Sequence, residues 1–266
     1  MYNINHFNLE ITKKCNQKCF YCFNDSGYSQ SKSELSFEQW KNSLTEISHL
    51  NFKSVHITGG EPFLHPKIIE ILRHSIDLGL QTTILSNGFR IKKLADENPF
   101  LFSQIKIAQI SLDSMNPEMH NRRRGFPNAY LDSISAINTF LNLNVPVEIS
   151  TTVSEQNLHD LFDIGAYCKA TNASLIIRPL ISTGRAANLK HTDNFYSELE
   201  LIIDKLQNVN KVKVIEDRFN YVADDEMTEK YYLERGTITV EASGKIRGNS
   251  FLETNFKNLL QSLKAA

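Results

Sequence analysis

Three cysteines stand close together near the start of the chain, in the run Cys15-Asn16-Gln17-Lys18-Cys19-Phe20-Tyr21-Cys22. Thiolates at a C-x3-C-x2-C spacing bind metal far more readily than they pack, and their number is informative. A closed structural zinc site takes four ligands, and a four-iron cluster used only to carry electrons takes four cysteines. Three leave one metal corner open, where a small molecule can bind and receive an electron. The alternatives for the same residues are a zinc site completed by a remote His or Asp, and three separately buried thiols. Cys168 recurs at helical spacing with Leu161, Ile164 and Gly165 and is expected to be a core thiol.

An aromatic residue, Tyr21, precedes the third cysteine, and Gly59-Gly60-Glu61-Pro62 follows about forty residues later, at the end of the strand-like run Val55-His56-Ile57-Thr58. This combination resembles the radical S-adenosylmethionine (SAM) superfamily. The resemblance implies that Cys15, Cys19 and Cys22 hold one [4Fe-4S] cluster, that SAM chelates the fourth iron, and that its reductive cleavage yields a 5′-deoxyadenosyl radical. It places Tyr21 beside the adenine, where a flat amphipathic ring suits the contact. Gly59 and Gly60 would let backbone approach the SAM amino group, while Glu61 either orients this turn or touches SAM. Ser111, in Ser111-Leu112-Asp113, would contact the ribose or methionine part. One arginine of Arg122-Arg123-Arg124 would pair with the SAM carboxylate, as a planar guanidinium does well. Arg124 is the favoured partner, and a solvated surface run is the other reading of the triplet. Asn87 is either a SAM contact or a helix N-cap. Arg178-Pro179-Leu180 and Gly184-Arg185-Ala186 resemble the sixth-strand segment that borders adenine and substrate.

These residues need a scaffold, and the apolar pattern supplies one. Short β-rich runs at 6–12, 54–58, 81–86, 106–112, 146–153 and 174–179 alternate with helical periodicity at 36–50, 66–78, 88–96, 129–143, 157–171 and 192–207. Six βα units are expected, with Ser36 and Gln39 forming a capping box and Gly79 ending the second helix. The candidate residues fall at or just beyond strand ends, where α/β folds place their sites. Periodicity alone leaves open an α/β doubly wound sheet or part of a barrel. The family resemblance implies a partial (β/α)6 TIM-like barrel.

The rest of the composition narrows the function. A net charge of −1 argues against a chain built to coat nucleic acid or an anionic membrane. No apolar run approaches the roughly 18 residues of a spanning helix. With no secretion signal at the start and no disulfide framework, a cytoplasmic location is expected. Expected partners are a substrate peptide or small molecule and an electron donor such as a flavodoxin or ferredoxin.

A polar stretch near Glu216 suggests a boundary, with a barrel over 1–216 and an extension over 217–266. The extension is expected to hold a hairpin at 236–247 turning at Ser243-Gly244, and a short helix at 256–263 that packs on it as a cap. It resembles the SPASM/twitch extension, whose cysteines bind auxiliary clusters, but Leu233 and Asn249 occupy the matching positions. The favoured activity is hydrogen abstraction in modification of a ribosomally made peptide. A carbohydrate, nucleoside or other metabolite is the alternative substrate, and a non-catalytic metal- or cluster-binding sensor or scaffold is the reading from another class.

Overall fold

A computed structural model describes residues 6–28, 34–216 and 237–247. Seven strands follow one another in a parallel sheet: β1 (His6–Glu10), β2 (Ser54–Thr58), β3 (Gln81–Ser86), β4 (Ile107–Ser111), β5 (Val147–Val153), β6 (Ser174–Pro179) and β7 (Val214–Glu216). Their spatial order is their chain order, with no reversal. Right-handed crossovers then place every connecting helix on the same face, and the helix-free face must curl inward. The curl is visible in one contact. Arg185 N–H, on the loop after β6, donates to Cys22 O, on the loop after β1, at 3.0 Å. In a flat sheet those strands would lie about 24 Å apart, five spacings of roughly 4.8 Å. The family's partial barrel is therefore the architecture, and it is not a doubly wound sheet.

The helices are α1 (Phe37–His49), α2 (Ile68–Asp77), α3 (Ile91–Glu97), α4 (Pro99–Ser103), α5 (Pro117–Arg124), α6 (Ala129–Asn142), α7 (Leu161–Thr171) and α8 (Phe195–Asp204). Ser36 and Gln39 make the expected capping box on α1, and Gly79 follows α2 with a left-handed φ of +73°. Two short helices, α4 and α5, were not legible from periodicity, being too short to show it. The helix expected from residue 88 starts at Ile91 instead, behind a left-handed Arg90. Asn87 therefore does not cap it.

Alternation along the strands separates two environments. Leu9, Ile57, Ile84, Ile110 and Ile149 are buried under the helices in one continuous core. The helix-free face mixes polar residues with Leu85, Ile107 and Ile176: Asn8 pairs in register with His56, His56 with Thr83, and Gln109 with Glu148. There Gln109 Nε2 donates to Glu148 at 2.8 Å, and Arg178 donates to Gln109 and Ser150. Closed barrels of this type fill the same space with branched apolar side chains. A partly open inner face of mixed polarity, with these hydrogen-bonded side chains, is instead suited to solvent or a ligand with polar groups.

Beyond residue 236 the expected hairpin forms. β8 (Thr237–Val240) pairs antiparallel with β9 (Ile246–Arg247), and Gly244 takes the turn at φ +81°. β8 also pairs with β1 in parallel, Phe7 opposite Ile238 and Leu9 opposite Val240, so it extends the barrel sheet. The expected helix at 256–263 lies outside the described residues, as do Leu233 and Asn249. No described helix is long and apolar enough to cross a membrane.

Candidate functional site

The cysteine loop leaves the C-terminal end of β1 and is strapped there by the glycine turn after β2. Gly60 N–H donates to Thr12 O at 2.7 Å, and Glu61 N–H to Lys14 O at 2.8 Å. A Cβ on Gly59 would overlap Thr12 O, and one on Gly60 would overlap Lys14 O. The glycines thus bring two backbone segments together, which fixes where the cysteines begin.

Cys15 and Cys19 are buried and Cys22 is half-buried, and none is in a disulfide. Burial pushes the Cys15 thiol up to about 12 and raises that of Cys19, on which Arg124 pulls the other way. Thiolates here need a positive centre beside them, and bound metal supplies it. Donors are already in place: Gln17 N–H points at Cys15 Sγ at 3.4 Å and Asn87 Nδ2 at 3.8 Å. Two more amide donors of this loop, Asn16 Nδ2 and Gln17 Nε2, are buried without a hydrogen-bond partner among the described residues. A cluster's sulfurs can accept from such groups. The three free thiols and the partnerless amide donors beside them fit an iron–sulfur cluster.

Glu61 is fully buried and its carboxylate is occupied within the protein. It accepts from Phe63 N–H at 3.1 Å, Ser86 Oγ at 2.8 Å and Asn87 N–H at 2.8 Å, while burial raises its acid to about 7. It orients the loops after β2 and β3. Asn87 closes a local turn by accepting from Phe89 N–H, and donates to Asn16 Oδ1 at 2.9 Å. That side chain ties the third strand's end to the cysteine loop.

A second group of buried charges lies just beyond the end of β4. Asp113 is inaccessible to solvent. Its Oδ1 accepts from Arg124 Nη2 at 2.9 Å and Thr152 N–H at 3.1 Å; its Oδ2 accepts from the Tyr21 hydroxyl and lies 3.8 Å from Arg123 Nε. Burial pushes the Asp113 carboxyl up, but the Arg124 and Arg123 guanidiniums outweigh it and hold the group below its ordinary value. Both guanidiniums also lie over the Tyr21 ring, at 5.2 and 5.6 Å from its centroid. The neighbouring His120 accepts from Asp113 N–H at its Nδ1 (3.0 Å) and is pushed down to about 4 by burial and by Arg124, so it is neutral.

Tyr21 and Arg124 are thus brought together, and Ser111 ends the same strand with its carbonyl accepting from Ser133 Oγ. The triplet divides: Arg122 is exposed, whereas Arg123 and Arg124 are buried. Sequence reasoning missed His120, named Arg123 only as a less favoured alternative to Arg124, and treated Asp113 only as part of a strand end. One signal was available. Asn116-Pro117 starts a helix on which His120, Arg123 and Arg124 share a face at i, i+3 and i+4. Cys168 is buried in the main core, as expected.

The chain belongs to the radical SAM superfamily, whose sequence model matches residues 9–165. Members of that family use a [4Fe-4S] cluster and SAM. The chain is 30% identical to a PqqA peptide cyclase of Bradyrhizobium diazoefficiens over 59% of its own length and 41% of that protein. It is also 30% identical to the antilisterial bacteriocin subtilosin biosynthesis protein AlbA of Bacillus subtilis, over 60% of this chain and 35% of that one. It spans less than half the length of either relative. Its fold matches the crystal structure of Streptococcus suis SuiB bound to S-adenosylmethionine with a TM-score of 0.76, at 17% identity, over 97% of this chain and 65% of that one.

Proposed function

We propose that this chain is a radical SAM enzyme that modifies a ribosomally made peptide, with Cys15, Cys19 and Cys22 as the ligands of one [4Fe-4S] cluster. The observation that carries the reading is the three-thiol loop, strapped to the C-terminal edge of a half-barrel whose inner face carries polar side chains such as Gln109, Glu148 and Arg178. When bound, the cluster supplies an electron to SAM, and cleavage gives a 5′-deoxyadenosyl radical for hydrogen abstraction. The chain's residues then bind, orient and shield. Gly59 and Gly60 carry backbone to the SAM amino group, Ser111 and Tyr21 line its ribose and adenine, and Arg124 faces its carboxylate. Glu61 and Asn87 act by holding these loops in place. Support for a peptide substrate comes from the relatives' names and from the likeness to SuiB bound to precursor peptide SuiA. A flavodoxin or ferredoxin in a reducing cytoplasm would supply electrons. Residues 217–266 contain no cysteine to hold a second cluster.

Anaerobic reconstitution tests the reading. About four irons and four sulfides per chain, with 5′-deoxyadenosine after reduction, are expected. Cys19→Ala abolishes both, and Cys168→Ala leaves both. A protein that takes up zinc and never cleaves SAM would sink the proposal.

A further inference from the structure

Arg185 sits in a single helical turn, Gly184–Ala186, on the loop after β6. Its side chain crosses the open mouth of the half-barrel to the cysteine loop. Nε donates to Cys19 O at 2.7 Å, and Nη1 donates to Ser26 O at 2.7 Å and Asp25 Oδ1 at 2.9 Å. Its backbone N–H takes Cys22 O. Gly184, at φ +56°, lies so close that a Cβ would overlap the carbonyl oxygens of Cys22 and Phe23. Beside these polar contacts Cys19, Tyr21, Leu180 and Ala186 form an apolar cluster separate from the main core.

We propose that Arg185 is a positioning residue: a latch that fastens the sixth strand's end to residues 19–26 and holds Cys19 and Cys22 in their ligating arrangement before a cluster arrives. No helix or strand runs through residues 19–26, so no ladder sets their shape. The three acceptors lie on both sides of Cys22 and in different directions, which a rigid guanidinium fork satisfies together and a single ammonium does not. Ordering the loop in advance lowers the entropic cost of metal binding. The same guanidinium places a fixed positive charge one hydrogen bond from the Cys19 peptide, which favours the more negative, reduced state of a bound cluster and raises its midpoint potential.

This second consequence rests on the radical SAM reading, whereas the first does not. Hydrogen exchange of the metal-free protein therefore separates them. In Arg185→Gln, amides of residues 19–26 should exchange roughly ten- to a hundredfold faster, the equivalent of one charge-assisted hydrogen bond, with β4 and β5 unchanged. In reconstituted protein the midpoint potential should fall in Arg185→Gln and stay near the parent in Arg185→Lys, which keeps the charge. Unchanged exchange over 19–26 would overturn the latch, as would an even rise through the whole sheet, the mark of an ordinary fold contact. Should Arg185→Gln fail to fold, Arg185→Lys keeps the charge but cannot span all three acceptors, and must raise exchange over the same residues. No local change there would equally refute the proposal. Failure to bind a cluster would count against the enzyme reading and leave the exchange result standing.

Discussion

Replacing Asp113 by Ala should be among the most damaging single substitutions in the chain. The carboxylate is fully buried and is the only hydrogen-bond partner of the Arg124 guanidinium among the described residues. Arg123 is better provided for, since it also donates to Ser154 Oγ at 3.0 Å and Thr152 O at 2.9 Å. The main cost is therefore one stranded buried cation, about 3–5 kcal/mol, with Arg123 adding less. Asp113→Asn keeps an acceptor for Arg124 but loses the charge, and should cost roughly half as much. The double variant Asp113→Leu/Arg124→Met removes both charges of this pair and should recover the part of the loss due to Arg124, while Arg123, the Tyr21 hydroxyl and Thr152 N–H still lack the carboxylate. The assay is urea unfolding of metal-free protein followed by Trp40, the single tryptophan, which is buried. The carboxyl's lowered value has a sign as well. Its stabilisation is present above its unfolded value near pH 4 and is lost as pH falls through the folded one, so Asp113→Asn should flatten the acid limb. Stability of Asp113→Ala within about 1 kcal/mol of the parent, or a double variant no better than the single, would refute this account of the hub.

His120, ordinarily near 6.5 and pushed down to about 4, contributes stability that is present above pH 6.5 and lost as pH falls toward 4, on the order of 3 kcal/mol. Glu61, raised to about 7, works in the opposite sense, favouring the fold at low pH and losing that contribution as pH rises from 4.5 to 7. The two offset each other in the parent, so His120→Asn should make stability fall with rising pH across that window; a profile like the parent's in urea titrations at pH 5 and 7 would contradict the assignment. Gly60→Ala must push Lys14 aside, costing on the order of 2 kcal/mol and slowing iron uptake by the displaced loop. Iron loading and unfolding midpoint both equal to the parent's would show that the strap does not position the cysteines.

What a local pattern can carry was legible in the amino-acid order: the cysteine spacing, six alternating strands and helices, the Ser36 cap, the Gly79 stop and the hairpin turn at Gly244. Each depends on hydrogen bonds or apolar periodicity within a few residues. Arg124 and Tyr21 were also named, but through a resemblance and not by any local signal. The tertiary structure decided which distant residues meet. The unreversed strand order curls the sheet, and only that curl brings the loop after β1 against the loops after β4 and β6, joining Tyr21 to Asp113 and Cys19 to Arg185. It turned Arg123 from an apparent surface charge into a buried one, set Asn87 as a tie to the cysteine loop, and laid β8 along β1. Such contacts span up to 231 residues of chain. They arise from register, handedness and curvature of the whole sheet, which no short stretch of residues encodes.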